Sequence, residues 1–464
     1  MLAEDKNTIE IDIDRVCDLV KDKAYLTARN VLLEHNEADI AEMLEEVGDE
    51  LGIEKTVALF RMLPKDVSVE TFSYLDSEEQ TAIIQAINDK EITYILDELD
   101  FDDKIDVLEE LPANIVDKIL MRTPREERKL INTFLNYPDN CAGTLMTPEY
   151  ISLQEDMCVS EAMAHIKHEG IDSETIYTCY VKSAGRTLIG IVSLRSLVVA
   201  RDDVLIKDLM KTDPIYVNVY DDQEIVADTF KKYGFLAIPV VDKEHRIVGI
   251  ITFDDILNVI EEETTEDIER MAGVMSGDSK GDEYLDIPVI QHVKNRLPWL
   301  LFLTVSAMIT GSIISAFELV LSQVIALVSY LPLLMGSGGN SGSQAATLVI
   351  RGMAVGDIEL KDAGKVMWKE SRISIIVGIV LSLFNMAKIL LIDAQPFMIA
   401  LTVGVSQIVI VFFAKILGGL LPMGAKRLGI DPALMASPMI SSISDMFSVV
   451  TYLLLASLFL GVSL

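Results

Sequence analysis

Five long apolar stretches occupy the back of the chain, and they restrict its fold more than any other feature. They cover about 297–317, 321–350, 366–391, 397–423 and 433–463. Each is long enough to cross ~30 Å of hydrocarbon, which takes about 20 helical residues. Backbone in hydrocarbon must bond to itself, so residues 297–464 are expected to form a five-helix α transmembrane domain. Lys294 and Arg296 precede the first span, Arg351, Lys361, Lys365, Lys369 and Arg372 flank the loop after the second, and Lys426 and Arg427 follow the fourth. The other connections carry little positive charge, chiefly Lys388. Positive loops stay in the cytoplasm. The expectation is a multi-pass protein of the cytoplasmic (cell inner) membrane, N-terminus cytoplasmic and C-terminus outside.

The second span has a polar centre. In Leu331–Arg351, LPLLMGSGGNSGSQAATLVIR, Gly336, Gly338, Gly339 and Gly342 alternate with Ser337, Asn340, Ser341, Ser343 and Gln344. A lipid-facing helix has no use for these residues. Gly338 and Gly342 have the spacing of a tight helix–helix contact, and a wet permeation path fits the stretch equally well. The fifth span adds an acid. Asp445 lies about 12 residues in, roughly 18 Å along a helix, where an unpaired charge costs a few kcal/mol and marks function. Ser437, Ser441, Asp445 and Ser448 share one helix face. Asp445 is read as the only acid well inside a span, with no basic residue at its depth. A buried Asp bonded to a neighbouring helix remains the alternative. A ligand set of carboxylate, hydroxyl, amide and carbonyl oxygen, without Cys or His, favours magnesium, calcium or manganese. One carboxylate per chain suits a Mg2+ that keeps most of its water, and a two-fold homodimer would place two around one pore.

The front of the chain is soluble and acidic. The whole chain has 39 basic and 72 acidic residues, of which 11 and 8 follow position 293, leaving the front 28 and 64, a balance of −36. That balance disfavours nucleic acid and favours cations as partners. The N-terminal MLAEDKNTIEIDIDR has no apolar core of a signal peptide. Cys17, Cys141, Cys158 and Cys179 are scattered, as buried free thiols of a reducing compartment are. Residues 1–137 read as an all-α superhelical domain: apolar residues recur at three and four, as in Ile40–Val47 and Ile115–Met121. Ala58–Leu75 resembles Asp106–Thr123, with Pro64 and Pro112 opening new helices. An acid run, Asp97-Glu98 and Asp100–Asp103, falls at a helix junction.

Residues 138–262 are a duplication. Leu145–Gly170 parallels Leu209–Gly234, and each copy ends in strand, turn and helix, LIGIVSLRSLVVA (Leu188–Ala200) and IVGIITFDDILNV (Ile247–Val259). Strands are expected at Ile176–Val181, Leu188–Val192, Ala237–Val241 and Ile247–Ile251. The whole repeat resembles an α/β tandem CBS pair, divided 138–200 and 201–262. That resemblance implies adenine nucleotide, ATP, as a ligand, with Thr252 on phosphate and Asp255 on ribose. The first copy departs from the pattern, with Ser196 where the second has Asp255. Residues 263–296 then join the halves. Glu261, Glu262, Glu263, Glu266 and Asp267 crowd successive turns, where like charges at i,i+4 each cost a few tenths of a kcal/mol. Gly273, Gly277 and Gly281 mark a break, and Asp282–Arg296 reads as a connecting helix.

The full order of parts resembles the MgtE family of magnesium channels. Four blocks carry the likeness: YPDNCAGTLMTPEY (Tyr137–Tyr150), EEETTEDI (Glu261–Ile268), Leu333–Arg351, and GIDPALMASPMISSISD (Gly429–Asp445). The resemblance implies a homodimer in the lipid bilayer that passes Mg2+ down its electrochemical gradient, with Asp445 in the pore, Asn340 lining it, and a connecting plug helix. It implies closure by cytosolic Mg2+, held by Gly143 through its carbonyl, Asp222, Glu224, Asp255, Glu263, Glu266 and Asp267. Asp431 would act at the membrane entrance, and Asp102 and Asp103 on the helical domain. Gly234 and Asn258 stand where family members can have acids. Two other readings share some features: a nucleotide-gated carrier of another solute, and a membrane-tethered sensor, which would have no use for a midplane acid. With no P-loop, nucleophile–base pairing or metal-ligand cluster in the soluble part, no enzyme is expected.

Overall fold

The structure is a computed structural model that describes residues 2–171, 173–183, 185–275, 284–285, 287–435 and 437–461. Gly277, Gly281 and Asp282, and the side chain of Ser437, lie outside the described residues. The chain divides into two compact units, Met1–Ile260 and Glu261–Leu464.

The first unit opens with α1 (Leu2–Lys21), α2 (Tyr25–Leu32), α3 (Glu37–Leu51), α4 (Ile53–Phe60), α5 (Lys65–Ser73), α6 (Ser77–Ala86), α7 (Asp89–Glu98), α8 (Phe101–Glu110), α9 (Ala113–Arg122) and α10 (Arg125–Phe134). Alternate helices pack together, α1 on α3 on α5 on α7 and α2 on α4 on α6 on α8, which makes two layers of a superhelix. Pro64, Pro112 and Pro124 stand directly before α5, α9 and α10. There the missing proline N–H has no partner to lose. The sequence repeat therefore marks a helix–proline–helix unit.

The duplication folds twice in one topology. In the first copy β1 (Tyr150–Gln154) leads through α11 (Val159–Glu169) to a parallel β2 (Thr175–Lys182), and β3 (Leu188–Ser193) returns antiparallel. Helices α12 (Leu194–Val199) and α13 (Ile206–Leu209) and the short β4 (Lys211–Thr212) follow. In the second copy β5 (Val217–Asn218), α14 (Gln223–Tyr233), β6 (Ala237–Val241) and β7 (Ile247–Thr252) repeat the pattern, and α15 (Phe253–Ala272) leaves it. The four expected strands are present; β1, β4 and β5 went unread because they are short or mixed in polarity. Aromatic contacts carry the helical core onward: Phe101 meets Phe134 at 4.8 Å, Phe134 meets Tyr137 at 5.8 Å, and Tyr137 meets Tyr220 of the second copy at 6.0 Å.

The second unit holds α16 (Val289–Ala316), α17 (Glu318–Gln323), a 3-10 turn at Ile325–Tyr330, α18 (Leu331–Ala354), α19 (Ala363–Leu391), α20 (Phe397–Arg427) and α21 (Ser437–Leu460). Among the described residues, four helical segments have the length and hydropathy to cross a membrane: Val289–Ala316, Leu360–Leu391, Phe397–Arg427 and Pro432–Leu460. The Gly, Ser and Asn centre of α18 keeps it out of that group. The expected connecting helix is not separate where it is described, since residues from Val289 continue into the first span. The second span starts ten residues later than 321, because Pro332 sits in the first turn of α18 and lacks the N–H an incoming helix would need.

Close backbone approach sets the packing of α18 between α20 and α21. A Cβ on Gly338 would come 2.8 Å from Ser448 Oγ and 2.9 Å from Ile410 Cγ2, and one on Gly342 would come 2.6 Å from Ile440 Cγ2. A Cβ on Gly418 would meet the Gly342 carbonyl oxygen. One sequence expectation fails in these helices: Asp445 is not alone. Glu370 in α19 and Lys415 in α20 are 7% and 5% exposed. Lys388, the outlier in the loop charges, pairs with Asp393 at 2.6 Å.

Gly342→Val should cost about 1–3 kcal/mol by overpacking, read as a lower unfolding temperature in detergent. Gly336→Ala should leave that temperature unchanged, because the space beside Gly336 is open.

Candidate cation sites

The candidate residues gather in four places, two in each unit. The first joins the acid run before α8 to the start of α15. Strands β1 and β2 are parallel with Tyr150 opposite Thr175, so the residues just before them, Glu149 and Glu174, lie side by side; the Glu174 N–H donates to the Glu149 carbonyl at 2.9 Å. One carboxylate oxygen from each of Asp100, Glu149 and Glu174 lies within 4.8 Å of the others. Asp102, Asp103, Asp254 and Asp255 raise the local negative charge further. Sequence spacing showed no metal-ligand cluster in the soluble part. The fold brings together a candidate group, from residues 74 positions apart (100 and 174), through strand register that no local pattern encodes.

These carboxyls are held away from ordinary carboxylate behaviour. Asp102 is 9% exposed and is pushed up to about 9 by burial first, then by Asp255, Glu174 and Asp103. Glu174 is pushed up to about 8 by burial, then by Asp100 and Asp255, and Asp103 to about 7 by burial and Asp100. Asp100 and Asp255 are also raised, chiefly by burial. The Glu174 Oε2 is buried and makes no hydrogen bond. Lys104, whose charge reaches Asp100, is engaged with Glu127 at 3.2 Å. A set of clustered carboxylate oxygens, one of them buried without a hydrogen bond, fits a hard divalent cation.

Asp255 was expected on nucleotide as well as on metal. Here it accepts the Thr252 hydroxyl at 2.5 Å and faces the acids. A cleft of about 560 Å³ lies elsewhere in the CBS pair, lined by Leu188, Ile189, Thr212, Tyr216 and His245 among others. Tyr216 and His245 meet there edge to face at 5.3 Å.

The second place is the start of α14. Asp222 caps that helix, its carboxylate accepting the Glu224 N–H at 2.9 Å. Gly143 is drawn to the same end, donating to the Val219 carbonyl at 2.9 Å, while Cys141 bridges Asp222. A Cβ on Gly143 would come 2.8 Å from the Tyr137 ring. Gly143, Asp222 and Glu224 are thus neighbours. Gly234, where an acid was absent, ends α14 with φ of 64°, a left-handed position that glycine takes without strain.

The third place lies in the second unit. Glu263, Glu266 and Asp267 are on α15, and Asp431 precedes the 3-10 turn Pro432–Met435, accepting the Ala433 N–H at 2.8 Å. Burial first, then Asp431 and Glu263, raise Asp267. Arg270 went unread in the sequence. Its guanidinium bonds Asp431 at 2.6 Å and also Glu266. It is the tethered cation of this group, and its i,i+4 spacing from Glu266 was the available signal.

The fourth place is the α18–α21 face. Gly339 packs against Ser441, and Ser343 lies 3.5 Å from Ser441 across the helices. Asn340, next to Gly339, is exposed, and Asp445, one turn beyond Ser441, is half-buried. Neither makes a hydrogen bond or ion pair among the described residues. Ser448 departs from the expected open face: it is 1% exposed, donates to the Ser444 carbonyl at 2.6 Å, and fills the space beside Gly338.

Comparison with known proteins follows this anatomy. Residues 331–455 match the family described as divalent cation transporter, residues 35–140 the MgtE intracellular N domain, and residues 206–262 the CBS domain. The magnesium transporter MgtE of Thermus thermophilus is 36% identical over 453 residues, 95% of this chain and 99% of that protein. The magnesium transporter MgtE of Bacillus subtilis is 30% identical, over 96% of this chain and 97% of its own. A crystal structure of the cytosolic domain of the Mg2+ channel MgtE in complex with ATP is 33% identical with a TM-score of 0.48, covering 52% of this chain and 97% of that one. Matched over nearly its whole length by such relatives, the chain belongs to the MgtE family of magnesium transporters.

Proposed function

We propose that two copies of the chain form a pore that passes Mg2+ down its electrochemical gradient, and that cytosolic Mg2+ closes it. The observation that carries the pore reading is Asp445: a carboxylate within α21 that has no partner among the described residues, on the helix that packs against the glycine-rich face of α18. Counting α18 with the four apolar segments makes five spans, and an odd number puts the two termini on opposite sides. The loop charges favour a cytoplasmic N-terminus. With no Cys or His after His292, the exposed Asn340 and the Asp445 carboxylate suit a hydrated divalent ion held through its water.

The closing reading rests on the acid groups of both units. Asp102, Asp103 and Asp255 with Asp100, Glu149 and Glu174 form one set, Gly143, Asp222 and Glu224 another, and Glu263, Glu266, Asp267 and Asp431 a third. Cations that bind these sets better in one arrangement of the domains shift the population toward it. In this reading the domains divide at 137, 200, 262 and 296, and residues 263–296 act as the plug. Adenine nucleotide, ATP, remains the ligand proposed for the CBS pair. The hydroxyl–carboxylate pair of Thr252 and Asp255 supports it, and nucleotide and metal would then compete for Asp255.

Three outcomes test this. Asp445→Ala should abolish growth rescue of a Mg2+-requiring, transport-deficient host; equal rescue removes Asp445 from the pore. Millimolar Mg2+ should raise protease protection of the cytosolic region, and Glu263→Ala with Asp267→Ala should weaken the effect; unchanged cleavage sinks the closing model. The third outcome concerns pH. The pKa values of Asp102, Asp103 and Glu174 are raised on folding, so their contribution to stability is full below pH ~4 and is lost as pH rises through about 7 to 9. In chelator, the unfolding temperature should therefore fall across that window. Mg2+ should flatten the fall and release protons at pH 7, both measurable in weak buffer.

A further inference from the structure

Helices α19 and α20 meet along a narrow polar face. The buried side of α19 reads Glu370, Ser374, Gly378, Ser382 and Asn385. Its centre is tight: a Cβ on Gly378 would come 3.2 Å from Ile408 Cα. Further along, Asn385 donates to Gln407 at 2.7 Å. The end nearer Ala363 and Arg427 differs, because it buries two charges of opposite sign. Glu370 is 7% exposed, and its Oε2 is sequestered without a hydrogen bond. Lys415 is 5% exposed. Among the described residues neither has a hydrogen bond or an ion pair.

Their placement links them. A Cβ on Gly419 would come 3.4 Å from Glu370 Cγ, so Glu370 lies against that part of α20. Lys415 stands one helical turn before Gly419, on the same face. The neighbouring side of α20 approaches α18: a Cβ on Gly418 would meet the Gly342 carbonyl oxygen, and the Ala414 carbonyl oxygen is 3.1 Å from the position of a Gly342 Cβ. A buried charge left without a counter-charge costs several kcal/mol. Here each residue supplies the charge the other lacks, on a seam one residue away from the helix that Gly338 and Gly342 press against α21.

We propose that Glu370 is the counter-charge of Lys415, and that the balance of the two sets the cation affinity of the adjoining pore wall. The inference rests on the reading of α18 and α21 as that wall. The Lys415 ammonium alone would raise the potential at the wall and disfavour a divalent ion twice as strongly as a monovalent one. Glu370 cancels that field. The pair acts through space and through helix position; neither residue is a ligand of the ion.

The test uses the full chain in proteoliposomes, with Mg2+ uptake measured against external Mg2+. Glu370→Gln should raise the half-saturating concentration about threefold or more, and Lys415→Met should lower it by a similar factor. The double variant should return to within about twofold of wild type, and Lys415→Arg should match wild type. A purely structural role would move both single variants the same way, and additive effects in the double variant would likewise overturn the pairing. If Glu370→Gln is not recovered folded, Lys415→Met against Lys415→Arg decides alone: equal half-saturation overturns the proposal. Asp445→Asn separates the two levels. Wild-type uptake by that variant sinks the pore reading, whereas lost uptake together with unresponsive Glu370 and Lys415 variants sinks only this pairing.

Discussion

Carboxylates gathered without counter-charge govern the soluble part of this molecule. Each one buried beside another costs free energy in its charged form, and the fold places Asp100, Asp102, Asp103, Glu149, Glu174, Asp254 and Asp255 in one neighbourhood. A protein relieves such crowding by taking up protons or by taking up cations. At neutral pH the raised pKa values of Asp102 and Glu174 point to the first, and a divalent cation offers the second. On the proposed reading, proton binding and metal binding are linked in these groups.

The membrane unit meets the same constraint differently. Around Asp445 the neighbouring side chains are removed: Gly338, Gly339 and Gly342 let α18 lie directly on Ser441, Ser444 and Ser448 of α21. Serines thus line the helix turns on either side of the acid, which makes no ion pair among the described residues. On the opposite side of α20, Glu370 and Lys415 are buried with opposite signs. Near the first acid group of the membrane unit, Arg270 bonds Asp431 and Glu266. Opposite charges thus lie near one another at these two places, whereas no ion pair reaches Asp445 among the described residues.

Some sites were legible in advance for physical reasons. Asp445 stood out because a charge within an apolar run has few structural excuses. The CBS pair showed itself through duplication, and its two copies do share one strand pattern, β1–β2–β3 and β5–β6–β7. Pro64 and Pro112 announced helix starts because proline is tolerated there. Glu149 and Glu174 were silent. Each is an ordinary surface-type residue before a strand, and only the parallel register of β1 and β2 sets them together. Glu370 was overlooked because it lies near the start of its span, where long charged side chains usually reach water, and Lys415, in the interior of α20, was missed outright. Ser448 was assigned to the open face on helical period alone, but the width of that face depends on how near Gly338 brings α18.

The sequence by itself determined the division into an acidic soluble front and an apolar back, the helical repeat, the duplicated α/β module, the membrane acid and the family. Each depends on local period, composition or charge, which a linear chain displays directly. Tertiary structure alone decided which carboxylates share a site, that Arg270 sits among the acids of α15 and Asp431, which serines of α21 are packed away, and that two opposite charges are buried on the α19–α20 seam. Those outcomes depend on strand register and on helix separation, and both are set by contacts between residues far apart in the chain.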